Sequence, residues 1–286
     1  MDAVIDIGSN SVRLYIDKGK AVNPKILNTT RLSQNLAVLG RLDSQAIVRT
    51  ANAVTDFFCS AKNTGADRIF IFGTEAMRCP GGETLKAMIE SKIHVPVDII
   101  SGEKEAVCGY IGATGGKGKN AVIDIGGASV ELTAGDGANI TYAESLKLGV
   151  VRAYDTAGKN RAAIEKYYSE NIGGFQKIAA DKLIGIGGTA TSLASMALEQ
   201  QKYDAYAIHG YTLTKSKTEE LIDVIFTSDS ITNSFPSIDR KRADVIGHGA
   251  IALLMLMEHL SFDKIDISEH DNIEGYLTLQ NLTARR

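Results

Sequence analysis

The stretch AVIDIGSNSVRL, residues 3–14, returns 118 positions later as AVIDIGGASVEL, residues 121–132, and nine of the twelve aligned positions are identical. Each copy is an apolar run rich in β-branched residues that reaches a glycine turn and continues as an alternating segment, which predicts a strand folded back as a hairpin. Arg13 in the first copy corresponds to Glu131 in the second. Because the same hairpin recurs, the sequence predicts two halves with related folds.

Helical and strand-like segments alternate after each hairpin. The predicted strands are RIFIFGT (68–74) and VPVDII (95–100) in the first half, and KLIGIGG (182–188) and FDKIDIS (262–268) in the second. Hairpin strands followed by alternating helices and strands are typical of an α/β fold, which is therefore the predicted class of both halves.

A domain junction is predicted at TGGKGKN (114–120), a small, polar and basic segment between the two halves. The length of 286 residues also favours two domains. We therefore expect an N-terminal domain over residues 1–118 and a C-terminal domain over residues 119–286, with the last helix packed back on the first domain.

Composition argues against several classes of protein. Hydrophobic residues make up 44% and charged residues 23%, as in a globular protein, and the net charge of −3 predicts neither nucleic acid nor membrane as a partner. The three cysteines include no CxxC pair and the N-terminus lacks a signal-peptide pattern, so a cytoplasmic location is expected. The longest apolar run, residues 251–257, is shorter than the ~20 residues of a membrane span and predicts one buried helix.

Three glycine turns follow predicted strands: GSNS (8–11), GGAS (126–129) and GGTAT (187–191). Glycine lets successive backbone N–H groups point at one ligand, and such turns bind anions. The overlapping GIGGTA (185–190) also fits a dinucleotide-binding pattern, although this half begins with a hairpin and not with the parallel unit that the pattern requires. The predicted phosphate-binding residues of the turns are Gly8, Ser9, Asn10, Ser11, Gly126, Gly127, Ser129, Gly187, Gly188 and Thr189.

Asp6 and Asp124 lie near the ends of the first strands of the two hairpins, just before their glycine turns. A carboxylate that faces phosphate is repelled by it unless a hard cation lies between them, and Mg²⁺ usually binds through one or two carboxylates plus phosphate oxygens. The pattern therefore predicts Mg²⁺ as cofactor. The alternative is that each aspartate caps its own turn by accepting hydrogen bonds from nearby N–H groups.

The chain resembles the exopolyphosphatase and guanosine pentaphosphate phosphohydrolase family over almost its whole length. The segments that carry the resemblance are DIGSNSVRL (6–14), GTEAMR (73–78), SGEKEA (101–106), DIGGASVEL (124–132), SLKLGVVR (145–152) and IGIGGTATSLA (184–194). The combination of SGxxEA with GTxAxR is specific to this family. The resemblance implies two ribonuclease-H-like (actin-like) domains with an interdomain cleft, and Mg²⁺-dependent release of terminal phosphate from a phosphoanhydride chain.

The resemblance also implies roles for single residues. Glu105, the acid before Ala in SGxxEA, is the expected general base, and Arg78 and Arg13 are expected to clamp non-bridging phosphate oxygens. Two alternatives stay open: Glu105 is an acid in a first helical turn, where it favours the helix dipole, and Arg78 follows a strand and could be an ordinary surface residue.

For the metal, the resemblance implies Asp124 and Glu131 as the acids of the second phosphate loop. We expect these two to hold Mg²⁺ and Asp6, from its place in the first hairpin, to assist. The Arg13–Glu131 difference then has an explanation, because one hairpin offers a cation to phosphate while its twin offers an acid to the metal. The alternative for Glu131 is a solvent-facing strand position.

The sequence departs from the family pattern at three positions: Lys104 stands where relatives often have Glu, Ala128 replaces a loop glycine, and Ile273 takes the place of an arginine. The expected substrate is polyphosphate or guanosine pentaphosphate, and the resemblance makes a homodimer plausible. Two other functions stay open, an actin-like kinase or ATPase, and a non-catalytic sensor that binds polyphosphate or nucleotide.

Overall fold

A computed structural model describes residues 1–284 of the chain. It contains two compact units. One is formed by Met1–Glu105 together with the residues from Tyr276 onward, and the other by Ala106–Gly275. The domain limits predicted from the sequence stay a prediction, because compact units and domains need not share boundaries.

The first sheet lies among the elements up to residue 114. In chain order they are β1 (Asp2–Ile7), β2 (Val12–Ile16), β3 (Ile26–Asn28), α1 (Leu36–Leu39), α2 (Ser44–Asn63), β4 (Arg68–Gly73), a 3₁₀ helix (Glu75–Arg78), α3 (Gly82–Ile93), β5 (Val97–Ile99) and α4 (Gly102–Thr114). The strands lie in the order β3-β2-β1-β4-β5. β1 and β2 form the predicted antiparallel hairpin, and β1 pairs parallel with β4.

The second sheet lies among the remaining elements. They are β6 (Lys119–Ile125), β7 (Val130–Asp136), β8 (Asn139–Leu146), α5 (Val150–Ala157), α6 (Arg161–Asn171), a 3₁₀ helix (Ile172–Gly174), β9 (Lys182–Ile186), α7 (Gly187–Ala197), α8 (Ala205–Ile208), β10 (Thr212–Thr214), α9 (Lys215–Thr227), α10 (Ile231–Ser234), α11 (Arg240–Ala243), α12 (Ile246–Leu260), β11 (Lys264–Ile267) and α13 (Asn272–Ala284). The strand order is β10-β11-β9-β6-β7-β8.

Both sheets share one topology. The order β8-β7-β6-β9-β11 in the second sheet matches β3-β2-β1-β4-β5 in the first, with two antiparallel pairs followed by two parallel pairs in each. β10 adds one antiparallel strand at the edge of the second sheet. The repeat seen in the sequence therefore extends to the connectivity, and the predicted α/β class with two ribonuclease-H-like halves is confirmed.

The central strand of the first sheet is buried because β1 is an almost continuous apolar run, as strands with parallel neighbours often are. α2 packs against β1 and β2 and buries Ala46, Ala51 and Val54. The start of α2 is set by Asp43, whose side chain accepts hydrogen bonds from two backbone N–H groups of the first turn.

The apolar run 251–257 forms part of α12, whose side chains Leu253 and Met257 are fully buried in the core of the second unit. The prediction of one buried helix is confirmed. Within residues 1–284, no helix combines the length and the apolar character that a bilayer crossing requires.

His248 on α12 makes the stability of the second unit depend on pH. Its ring is buried, and its Nε2 donates to the carbonyl oxygen of Gly158 at 2.8 Å. Burial, which disfavours the charged ring, lowers the pKa of His248 below its ordinary value of 6.5; the hydrogen bond to Gly158 partly offsets this shift, and the nearby charge of Lys159 adds to it. The unfolded chain, in which His248 has its ordinary pKa, then binds the proton more readily than the folded chain does. The stabilisation that comes from the neutral ring is therefore present above pH 6.5 and is lost as the pH falls below it.

We expect the free energy of unfolding to fall more between pH about 7.5 and about 5.5 in the wild-type protein than in His248→Gln, because glutamine cannot take up a proton. Urea unfolding at the two pH values measures the difference. An equal fall in both proteins would contradict the assignment to His248.

Candidate functional site

In each sheet, the strand register places residues of neighbouring strands beside one another in a row. In the first sheet the strand register aligns, from β3 to β5, Leu27, Arg13, Asp6, Phe72 and Asp98. In the second sheet it aligns, from β8 to β9, Ser145, Glu131, Asp124 and Ile186. Since paired residues point to the same face, each row brings together side chains that are distant in sequence.

In the first hairpin the predicted metal-binding acid and the predicted phosphate-binding arginine are bound to each other. Arg13 Nε and Nη2 lie 2.7 Å and 2.6 Å from Asp6 Oδ2. Only 2% of Asp6 is exposed, whereas the Arg13 side chain is 22% exposed. The carboxylate of Asp6 thus has a cation supplied by its own hairpin.

In the second hairpin the same register position pairs two acids, Asp124 and Glu131. Ser145, on the next strand, donates a hydrogen bond from Oγ to Glu131 Oε1 at 2.7 Å. Two carboxylates placed opposite each other repel unless a cation or a proton compensates them. The twin hairpins therefore differ in electrostatics at one equivalent position, because glutamate replaces arginine.

These donors fit Mg²⁺. Carboxylate and hydroxyl oxygens are the hard ligands that it prefers, and it commonly takes one or two carboxylates and completes its shell with phosphate and water. Within the part of the chain that the structure describes, no group of three or more His, Cys, Asp or Glu side chains is arranged to hold a metal. A site built on Asp124 and Glu131 would leave coordination positions for oxygens of phosphate and of water.

The third glycine turn lies directly against Asp124. A Cβ at Gly187, whose φ is +76°, would lie 2.3 Å from Asp124 Oδ1, so only glycine allows this approach. Thr189 Oγ1 donates to the carbonyl oxygen of Ile125 at 2.7 Å and ties the start of α7 to β6. The structure thus brings the predicted GGT turn next to the acid of the second hairpin.

Backbone hydrogen bonds close the two hairpin turns. The N–H of Gly8 donates to the carbonyl oxygen of Ser11 at 3.1 Å, and the N–H of Gly126 donates to that of Ser129 at 2.9 Å. Both amide hydrogens are thus engaged inside their turns. Phosphate binding by the residues of all three turns stays a prediction.

The start of α5 supports the second turn from behind. Val150 and Val151 donate their backbone N–H groups to the carbonyl oxygens of Gly126 and Gly127, at 3.0 Å and 2.9 Å. Gly149 lies so close to the turn that an added Cβ would be 2.4 Å from backbone atoms of Gly127 and Ala128. The carbonyl groups of the turn are therefore held on the side of α5.

We expect Gly149→Ala to destabilise the second unit by about 1–3 kcal/mol, because the methyl group must displace the turn. The φ of Gly149 is −61°, which alanine adopts easily, so close contact alone would cause the loss. Gly173→Ala is the matched control, because a Cβ there meets no atom within 4 Å. Urea unfolding of both variants measures the effect, and equal stability of the two would contradict it.

Arg78 and Glu105, the two predicted catalytic residues, form an ion pair within the first unit. Arg78 Nη1 lies 2.9 Å from Glu105 Oε2 and 2.8 Å from the carbonyl oxygen of Ile100. Ser101 caps α4, since its Oγ accepts the N–H of Lys104 at 3.1 Å. Glu105 does lie in a first helical turn, as the simpler interpretation supposed, but its carboxylate also binds the arginine of the other motif.

Sequence reasoning missed several polar neighbours of these residues. Ser145 lies in a segment that was singled out, but its contact with Glu131 depends on strand register. Asp98 binds Lys104 at 2.6 Å, so the lysine that replaces a glutamate has an acidic partner. Arg242 also lies against the third turn, because a Cβ at Gly188 would be 1.8 Å from its Nη1.

Ile273, the isoleucine that replaces an arginine of the family pattern, is fully buried at the start of α13. Its side chain makes no polar contact of any kind, since it has only carbon and hydrogen atoms. This position therefore offers no cation to a phosphate oxygen.

Comparisons with known proteins agree with the geometry. A profile of the Ppx/GppA phosphatase family matches residues 16–282. The chain is 27% identical to Exopolyphosphatase 2 of Mycobacterium tuberculosis, with 96% of both chains covered. It is 29% identical to a bifunctional 3-dehydroquinate synthase/phosphatase of Fusobacterium nucleatum and 27% identical to a guanosine-5'-triphosphate,3'-diphosphate pyrophosphatase of Vibrio vulnificus. The chain spans 45% and 56% of the lengths of these last two relatives.

A solved structure of similar fold is the Ppx/GppA family member of Aquifex aeolicus, with a TM-score of 0.83 and 26% identity over 100% of this chain and 98% of that one. An exopolyphosphatase from Cytophaga hutchinsonii, at 20% identity and a TM-score of 0.83, has the same fold.

Proposed function

The chain belongs to the Ppx/GppA phosphatase family, and from this premise we propose that it is a hydrolase that releases terminal orthophosphate from inorganic polyphosphate, guanosine pentaphosphate or both. The resemblance predicted from the sequence motifs is confirmed by the family match and by relatives named as exopolyphosphatase and as guanosine-5'-triphosphate,3'-diphosphate pyrophosphatase. Both of these named activities cleave a phosphoanhydride bond, so hydrolysis of such bonds is the shared chemistry.

The observation that carries the proposal is the ion pair between Arg78 and Glu105 at 2.9 Å. In the proposed reaction, Glu105 accepts a proton from the water that attacks the terminal phosphorus, and the bond between that phosphorus and the bridging oxygen breaks. Arg78 exchanges its contact with Glu105 for the non-bridging oxygens of the terminal phosphate, which its planar fork suits. An arginine already bound to the base supports this scheme, because it brings phosphate and base to the same place.

Asp124 and Glu131 are the proposed Mg²⁺ ligands, with Ser145 orienting Glu131 through its hydrogen bond. When bound, Mg²⁺ would neutralise charge on the phosphate oxygens and on the leaving group. Asp6 is proposed to assist, and in the first hairpin it holds Arg13, which is proposed to bind phosphate. We propose that the glycine turns of each unit bind phosphate oxygens.

A cytoplasmic location is also proposed. None of the three cysteines, Cys59, Cys79 and Cys108, forms a disulfide bond, which supports a reducing compartment. The homodimer stays a prediction.

The proposal is tested by measuring phosphate release from long-chain polyphosphate and from guanosine pentaphosphate, each with and without Mg²⁺, and from ATP supplied with glucose. We expect Mg²⁺-dependent release of orthophosphate from at least one of the first two substrates. Formation of glucose phosphate would instead indicate a kinase, and tight binding of polyphosphate without release would indicate a sensor.

A further inference from the structure

Lys104 forms a compact polar cluster with Asp98 and Tyr276 in the first unit. Lys104 Nζ lies 2.6 Å from Asp98 Oδ2 and 5.2 Å from the centre of the Tyr276 ring. The hydroxyl group of Tyr276 donates to the same Oδ2 of Asp98 at 3.1 Å. The ammonium group therefore has a charge partner and an aromatic ring, both of which favour a single position for it.

The cluster is connected to the buried part of the first sheet. Asp98 belongs to the row of side chains that contains Asp6, two strands away. Phe72 lies between them in that row and is fully buried, and its ring stacks on Tyr276 with a centre-to-centre distance of 4.5 Å. Because Tyr276 rests on a buried ring, the partner of Lys104 is held by the core.

Lys104 immediately precedes Glu105 in the first turn of α4. The side chain of Lys104 reaches back to β5, while that of Glu105 reaches the 3₁₀ helix through Arg78. Two consecutive residues of one helical turn thus contact two different elements of the first unit. Both contacts bear on the rotation of this turn about the helix axis, which sets the direction of the Glu105 side chain.

We infer that Lys104 is a positioning residue for Glu105, and that Asp98 and Tyr276 act through it. The inference rests on the proposed function, in which Glu105 is the general base. The lysine thereby gains a role in the reaction without touching the substrate, at a place where a glutamate would be repelled by Asp98.

The test compares Lys104→Met with the wild-type protein. Methionine keeps a long apolar chain over the Tyr276 ring but removes the charge, so the first turn of α4 loses its contact with Asp98. We expect kcat to fall about 10-fold, because a small displacement of a catalytic group is sufficient for such a loss, while KM changes by less than about 2-fold. Lys104→Arg, which retains a cation for Asp98, is expected to keep most of the activity.

Two further variants separate positioning from a general structural effect. In the background of Glu105→Gln, Lys104→Met is expected to cause no additional loss of kcat, because the group that it positions is already inactive. Asp98→Asn is expected to lower kcat as much as Lys104→Met does. The double variant Asp98→Asn/Lys104→Met is expected to have the same kcat as either single variant. A full additional loss in the Glu105→Gln background would overturn the inference.

The matched control is Lys92→Met, which removes another lysine contact in the same unit, from Nζ to Asn52 Oδ1 at 2.9 Å. We expect its kcat and its urea midpoint to equal those of the wild-type protein. A partly exposed ion pair such as Lys104–Asp98 contributes little to stability, so Lys104→Met should also keep its midpoint. A loss of kcat in Lys104→Met that follows a matching loss of stability would overturn the inference.

Crystal structures of the wild-type protein and Lys104→Met give a readout that needs no activity. We expect the 2.9 Å contact between Arg78 and Glu105 to be present in the first and broken or lengthened in the second. If the wild-type protein released no phosphate, the proposed function would fail, while this comparison would still decide the positioning role. An unchanged contact in Lys104→Met would overturn the inference.

Discussion

Glu105→Gln is expected to lower kcat by about 10²–10⁴-fold at saturating Mg²⁺ and substrate, because an amide has no basic oxygen to accept the proton of the attacking water. Glutamine has nearly the same shape and still offers an oxygen to Arg78, so the fold and the contact at 2.9 Å should persist. We therefore expect KM to change little, since only an interaction of the transition state is removed. Initial rates of orthophosphate release over a range of substrate concentrations measure both constants.

Glu103→Gln is the control for this variant. Glu103 lies in the same first turn of α4 and is exposed, so it has the same effect on the helix dipole as Glu105. We expect its kcat to equal that of the wild-type protein. If both variants were equally active, or if both lost activity alike, the base would have to be another residue.

Asp124→Asn is expected to lower phosphate release by about 100-fold or more, because it removes one of the two carboxylates proposed for Mg²⁺, whose neutralisation of charge is worth several kcal/mol. Asparagine keeps the shape that fits against Gly187, where a Cβ would already lie 2.3 Å from Oδ1. The loss should therefore come from charge and not from packing. Titration of Mg²⁺ by calorimetry and by activity measures the binding and its consequence together.

Asp136→Asn serves as control for the second hairpin, because Asp136 is exposed at the end of β7. It removes the same charge from the same strand as Glu131, but away from the row that contains Asp124. We expect its Mg²⁺ dependence to be that of the wild-type protein. Unaltered Mg²⁺ affinity and activity in Asp124→Asn would contradict the proposed metal site.

The two hairpins explain why one backbone can serve two electrostatic purposes. At equivalent register positions, Asp6 faces Arg13 and Asp124 faces Glu131. The first pair is a salt bridge, whereas the second pair places two acids at paired strand positions. A single exchange of residue type therefore changes what each hairpin can bind.

Several predictions followed from local patterns and agree with the structure. The duplicated hairpin predicted two related sheets, and the matching strand orders confirm it. The strand predicted at residues 68–74 is β4, at Arg68–Gly73, and the one at 182–188 is β9, at Lys182–Ile186. Both predictions extend past the observed C-terminal ends of β4 and β9, because glycine and threonine residues do not by themselves show where strand pairing stops.

The partners of the site residues could not be predicted in the same way. Lys104 was seen from the sequence only as a missing carboxylate, yet it binds Asp98 and contacts the ring of Tyr276. Ser145 was one residue of a longer motif until the pairing of β7 with β8 put it opposite Glu131. Each of these contacts depends on which residue of one strand lies beside which residue of the next.

The sequence by itself determined the repeated hairpin, the α/β class, the glycine turns and the family, because apolar periodicity, turn chemistry and motif spacing are written along the chain. Only the tertiary structure decided that Arg78 reaches Glu105 across 27 positions, and that Tyr276 hydrogen-bonds Asp98 across 178. The physical reason is that a contact between distant segments depends on strand register and helix packing, which arise from the burial of the whole core and not from the residues that meet.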